Sequence, residues 1–186
     1  MQAKQKRTMK YLLITILSFS ITCLKAQSVK NTSYATQTGE KVLKVEFILP
    51  IDIKDAWELF TTDEQLIKWI APKAHIELKT GGYILTNYDT TKSLTDSSSI
   101  RLNIINYIEF ELLTLKVELN EKFSKNVRNE DENLQELIQF KYIEPKETKI
   151  ISSMIGWGQS EEWVKTYGYF VKGNIWTYEE LIKHYE

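Results

Sequence analysis

The sequence predicts an α+β domain: an antiparallel sheet of six or seven strands and one long C-terminal helix, with two short helices after the first strand. Three observations carry this. From Glu111 to Leu119 apolar and polar residues alternate, with Leu113, Leu115, Val117 and Leu119 on one face and Thr114, Lys116 and Glu118 on the other. That is the period-2 signature of a half-buried strand. From Trp163 to Tyr185 large residues recur every three or four positions through Tyr167, Phe170, Tyr178 and Leu181, the stripe of an amphipathic helix. Between Pro50 and Pro72 two short helical patterns follow one another, each opened by a residue able to cap it.

Each element has its own signal. Residues 27–40 are polar and aperiodic and read as a flexible lead-in to a domain spanning 41–186. Residues 41–49 are β-branched and apolar and stop at Pro50, a strand. Asp52 can cap a helix with Asp55 three positions on, followed by Ile53, Ala56, Trp57 and Phe60 at helical spacing. Thr62 with Gln65 has the form of a second capping box, opening a helix through Trp69 that Pro72 ends. Residues 76–79 and 83–88 read as strands joined at Gly81-Gly82. The Ser/Thr-rich stretch 90–99 reads as a loop. Long strands at 100–107 and 111–119 are separated by a break near Glu109, and the charged stretch 121–132 is a loop or a single turn. Residues 134–143 and 148–155 form a last hairpin around Glu144-Pro145-Lys146. Gly156-Trp157-Gly158-Gln159 then breaks the strand pattern, and Ser160 caps the final helix with Glu161 and Glu162 in its first turn. Gly168 and Gly173 weaken the middle of that helix by up to ~1 kcal/mol each relative to alanine.

Residues 1–26 read as an address. Lys4, Lys6, Arg7 and Lys10 precede a run without charge, residues 11–24, and Ala26 offers a cleavage point before Gln27. This is the layout of a secretory signal peptide, and Met9 serves equally well as its start. The uncharged run is shorter than the ~20 residues a spanning helix needs, so stable membrane insertion after cleavage is not expected. An uncleaved N-terminal anchor and a lipoprotein attached at Cys23 are the alternatives. Cleavage implies export to the periplasm, the cell envelope or the medium. It also removes five basic residues and no acidic ones, leaving 19 basic against 25 acidic residues and a net charge of −6. A chain of that charge is a poor partner for nucleic acid or anionic lipid.

Composition excludes several chemistries. Among 186 residues, 42% hydrophobic and 12% aromatic exclude a disordered chain. A domain this size buries enough surface to fold without a metal or disulfide staple. Loss of Cys23, the single cysteine, removes thiol nucleophiles and thiolate ligands. His75 and His184 are the only histidines and read as surface or edge residues. They lack the spacing of a zinc hydrolase, and no nucleophile elbow, phosphate loop or dinucleotide fingerprint occurs. No metal, no cofactor and no catalytic residue is therefore assigned.

Four stretches carry a family resemblance. They are the first strand with Pro50 and residues 55–60; Trp69 with Ala71-Pro72; residues 104–108 running into 111–113; and the Gly156-Trp157-Gly158-Gln159-Ser160-Glu161-Glu162-Trp163 sequence with Tyr169-Phe170. Together they resemble the SRPBCC or START-like superfamily, in its activator of heat-shock protein 90 ATPase-like, polyketide cyclase-related branch. The resemblance runs from about Lys41 to Glu186. Glu109-Phe110 replaces the usual proline-glycine between the middle strands. The resemblance implies a helix-grip fold, in which a curved sheet wraps the long C-terminal helix and leaves an apolar cavity for a small or lipid-like ligand.

The candidate ligand residues follow from that picture. Trp163, Tyr167 and Phe170 on the final helix are expected to face the sheet, as core or as ligand wall, and Trp157 to sit at the cavity mouth or as a packed lid. Arg101 and Asn103 lie in a strand where an inward polar group would orient a ligand head group, with Asn87 and Glu118 as further polar strand residues. The leading function is an exported binding module for an apolar small molecule or lipid. A polyketide cyclase or aromatase-like enzyme is the alternative, requiring Arg101, Glu118 or a tyrosine to point inward. A co-chaperone-like interaction protein is a further alternative, which the export signal disfavours.

Overall fold

The structure, a computed structural model, describes residues 28–185. The signal peptide, the N-terminal anchor and the lipid attachment at Cys23 concern residues outside that range.

The chain runs through two short strands, β1 (Lys30–Asn31) and β2 (Tyr34–Ala35), into the long strand β3 (Lys41–Leu49). From Leu43 onward the alternation along β3 is strict: Leu43, Val45, Phe47 and Leu49 are buried, while Lys44, Glu46 and Ile48 face outward. The polar lead-in departs from its flexible reading. β1 and β2 both pair antiparallel with β3, the Thr32 amide donates to the Lys44 carbonyl at 2.8 Å, and the Lys44 amide donates to Ser33 Oγ at 2.9 Å. Without this cover β3 would be a long bare edge, the arrangement that invites unwanted pairing.

Two helices follow. Asp52 caps α1 (Ile53–Thr61) by accepting from the Asp55 amide at 2.9 Å, and α1 buries Ala56, Trp57, Leu59 and Phe60. The second helix, α2 (Asp63–Trp69), begins after a single extended residue, Thr62. The predicted capping box at Thr62 does not form. Its hydroxyl turns back and donates to the Glu58 carbonyl at 3.1 Å, because the last turn of α1 lies directly beside it with carbonyls to satisfy. Trp69 Nε1 donates to the Leu59 carbonyl at 2.9 Å, tying the two helices together.

Six further strands complete the sheet: β4 (Lys73–Glu77), β5 (Tyr83–Asn87), β6 (Ile100–Ile108), β7 (Leu112–Val117), β8 (Gln135–Glu144) and β9 (Glu147–Ile155). The spatial order is β1-β3-β9-β8-β7-β6-β5-β4, every pair antiparallel, with β2 also on β3. The β6–β7 turn passes through Phe110 at φ 63. Part of the charged stretch before β8 forms the short helix α3 (Lys125–Asn129), which Ser124 caps. Register shifts between Ile104 and Asn106 and between Tyr142 and Glu144 add local twist. The 23-residue helix α4 (Glu161–Lys183) lies against the concave face. This is the helix-grip architecture.

The α4 helix is held at both ends. At its start, Ser160 Oγ accepts from the Trp163 amide at 3.3 Å. Gly156 has φ 85, and a Cβ there would lie 1.8 Å from the Asn133 carbonyl oxygen. A Cβ at Gly158 would lie 2.2 Å from the Trp163 ring. The two glycines are thus required for the strand to turn and for Trp163 to seat, which gives the Gly-Trp-Gly motif a structural reason. At the far end Leu181 and Ile182 are buried in the same core as Trp57, Phe60 and Phe140, where the Phe140 ring meets Trp57 at 5.1 Å and Phe60 at 5.3 Å.

Candidate ligand-binding cavity

Between those two packed ends the middle of α4 stands off the sheet and encloses a cavity of about 370 Å³. Its roof is one face of α4: Phe170, Gly173, Asn174, Thr177 and Tyr178, spaced i, i+3, i+4, i+7 and i+8. The floor is the inward row of the sheet, with Ile84 of β5, Leu102 of β6, Leu115 and Val117 of β7, and Glu136 and Ile138 of β8. Phe60, Leu66 and Trp69 close one end. Tyr88, Tyr169 and Trp176, each half exposed or more, stand at the mouth with Lys122 and Phe123. The volume falls within the ~300–1,000 Å³ typical of small-molecule sites. Gly173 helps create it, since nothing lies within 4 Å of where its Cβ would be.

The floor is apolar except for the Thr86 hydroxyl of β5 and one place that carries charge. Strand pairing sets Glu136 beside Met154 and Ile138 beside Ser152. Glu136 therefore stands in the inward row that otherwise holds Leu134, Ile138 and Phe140, all buried. Its Oε1 accepts from Ser152 Oγ at 2.6 Å and from the Tyr178 hydroxyl at 3.0 Å. Burial pushes the carboxyl above the usual range, and the two hydrogen bonds pull partly against it. What surface Glu136 keeps opens into the cavity. Asn174, one helical turn before Tyr178, donates weakly to Met154 Sδ at 3.3 Å, so α4 and the sheet bring four polar side chains to one spot. The Tyr178 ring is fixed by Phe47 at 4.8 Å, Trp69 at 5.9 Å and Phe60 at 6.4 Å. Burial, and then the neighbouring Glu136 charge, raise its phenol well above the ordinary value, so at neutral pH it is a hydrogen-bond donor.

Of the six residues expected to line the cavity, only Phe170 does. Arg101 and Asn103 lie on the other face of β6, since Ile100 and Leu102 point inward. Arg101 stacks on the Tyr83 ring at 3.9 Å and donates to Asn103 Oδ1 at 2.7 Å. Asn103 in turn donates to Glu118, whose carboxylate is held there at the cavity rim. Trp157, Trp163 and Tyr167 pack around the helix start. Trp157 Nε1 donates to the Met154 carbonyl at 3.0 Å, and its ring meets Tyr167 at 5.1 Å and Trp163 at 6.2 Å. Trp163 is fully buried, with Nε1 donating to Glu130 at 2.8 Å. Their large apolar area is spent on anchoring α4. Asn87 is buried and donates into the 90–99 loop through Ser93 and Ser99.

The sequence reading does not single out Glu136, whose signal is partial. From Leu134 to Phe140 every second residue is apolar except Glu136, a charge where the inward face of a strand requires none.

Comparison with solved structures places this architecture. The chain is 11% identical to the protein in a structure of the Aha1 dimer from Colwellia psychrerythraea, covering 78% of this chain and 96% of that one with a TM-score of 0.60. It is 12% identical to protein MLL2253 from Mesorhizobium loti, covering 76% and 94% with a TM-score of 0.58. It also spans 60% of a conserved protein of unknown function from Enterococcus faecalis, over 67% of its own length, at 15% identity and a TM-score of 0.49. The first two establish that this chain has their fold, the one the sequence resemblance implied. No family model and no curated protein matches the chain.

Proposed function

We propose that this chain is an exported binding protein for an apolar small molecule or lipid-like ligand, held between the sheet and α4. The observation that carries the reading is the cavity: about 370 Å³, walled mainly by aliphatic and aromatic side chains, with one cluster of polar groups around Glu136 on its floor. A binding site of this kind gains affinity from apolar burial and orientation from a few polar groups. Export is inferred from the signal-like character of residues 1–26.

The test is to fill the cavity. Gly173→Leu places a side chain into the open space under α4 while improving helix propensity by up to ~1 kcal/mol. Binding of an environment-sensitive apolar dye to the purified protein should weaken at least tenfold, with the melting temperature unchanged or raised. Native mass spectrometry of the wild-type protein should show a co-purified mass that the variant lacks. Dye binding that is unaffected by Gly173→Leu would refute the reading.

One observation favours a second reading, the polyketide cyclase-like enzyme. Tyr178 is an inward tyrosine hydrogen-bonded to a part-buried carboxyl, a pair able to exchange a proton with a bound substrate. Arg101 takes no part, being on the outer face. Recovery of a co-purified molecule chemically unchanged after prolonged incubation favours binding; its conversion by wild type but not by Tyr178→Phe favours catalysis.

A further inference from the structure

The polar cluster on the cavity floor says more about the guest than its greasiness. Glu136 spends one oxygen twice. Oε1 accepts from both Ser152 and Tyr178, while among the described residues Oε2 has no hydrogen-bond partner and no cation pairs with the carboxylate. A carboxylate can take about four hydrogen bonds, and one drawn even partly out of water without a counter-charge is costly. The protein therefore maintains an acceptor, aimed from the inward row of β8 into an apolar space, and leaves half of it unused. The second donors on hand do not reach it: Asn174 is turned to Met154 Sδ, and Lys122 stands at the mouth.

We propose that Glu136 is the recognition group for a positively charged nitrogen, so that the guest is an apolar molecule carrying an amine. This rests on reading the cavity as a ligand site. An ammonium group supplies the missing donor and the missing charge together, which a neutral donor does not. Charge-assisted hydrogen bonds are roughly twice as strong as neutral ones. An anionic guest is disfavoured, since its head group would meet the carboxylate with no cation beside it.

Three probes of matched shape test this: phenylbutylamine, phenylbutanol and phenylbutanoate, titrated calorimetrically into the purified full-length protein and into Glu136→Gln. Glutamine keeps an oxygen to accept from Ser152 and Tyr178 but presents an amide donor to the cavity in place of the charge. The amine should bind wild type about ten- to a hundredfold more tightly than the alcohol, the range expected of a hydrogen bond to a charged group, and phenylbutanoate most weakly. In Glu136→Gln the amine should fall to the level of the alcohol, and the alcohol should change less than about threefold, which also shows that the variant has kept its cavity. The wild-type ranking stands as a test without the variant. An alcohol that binds as tightly as the amine, or an amine preference that survives Glu136→Gln, overturns the inference and leaves the cavity reading in place. Failure of all three probes to bind wild type overturns both.

Discussion

Two carboxylates on opposite faces of this sheet show what the fold does with charge. Glu46, on the outer face of β3, is opposite Ile151 of β9; Glu136, on the inner face of β8, is opposite Met154 of the same strand. Glu46 is gripped by Lys149 and by Lys44, the latter at 2.8 Å, and accepts from Thr32 Oγ1 at 3.1 Å. Those lysines, Lys149 foremost, lower its carboxyl to about 2. Glu136 has hydroxyl donors and, among the described residues, no cation, and burial moves it the other way. Partners, not residue type, decide: one acid is neutralised by its own chain, while the other is kept in want of a partner. Structural acids are of the first kind. An acid of the second kind is costly to maintain and marks a place where something else is expected to bind.

The contrast can be broken by experiment, starting where the effect is largest. Glu46→Gln should cost about 1–3 kcal/mol at pH 7, the worth of hydrogen bonds to charged groups, read from urea denaturation. Because the folded-state value lies below the unfolded one, this contribution is present above pH ~4.5 and disappears as pH falls toward about 2. Wild type and variant should therefore converge in acid. Glu136→Gln should act in the opposite sense, raising stability at pH 7 by about 1 kcal/mol through relief of a part-buried charge without a counter-ion. Here the folded-state value is the higher one, so wild type gains stability as pH falls through the raised range and the advantage of the variant shrinks. A destabilised Glu136→Gln at pH 7 would place Glu136 with the structural acids and erase the comparison. The smallest change, Gly173→Ala, should add at most ~1 kcal/mol by helix propensity, since its methyl meets nothing within 4 Å. It touches neither acid, so its pH profile should parallel that of wild type.

Much of the fold was legible in the sequence, and the site was not. Local rules set the strands from β3 to β9, the caps at Asp52 and Ser160 and the span of α4, because these depend on neighbours within a few positions. The lead-in was misread because residues 30–35 carry no apolar pattern; they pair with β3 through backbone bonds, to which composition is blind. The face that Arg101 and Asn103 take is not legible in the sequence, because the face of β6 depends on register with β5 and β7, a non-local property. In β8 the sequence QELIQFKYIE is apolar on both parities, with Leu137 against Ile138 and Phe140. Only the pairing with β9 reveals that Glu136 shares the side of Ser152. The aromatic residues at 157, 163 and 167 drew attention by size, yet their area serves attachment.

That attachment has a mechanical corollary. Gly158 and Trp163 interlock at one end of α4, and Leu181 and Ile182 are sunk in the core at the other, so the helix behaves as a beam on two supports. Gly168 and Gly173, the two weakest points of its backbone, both fall on the unsupported span. Strain applied to α4 therefore falls first on that span, where each glycine lowers helix propensity by up to ~1 kcal/mol, and not on either support.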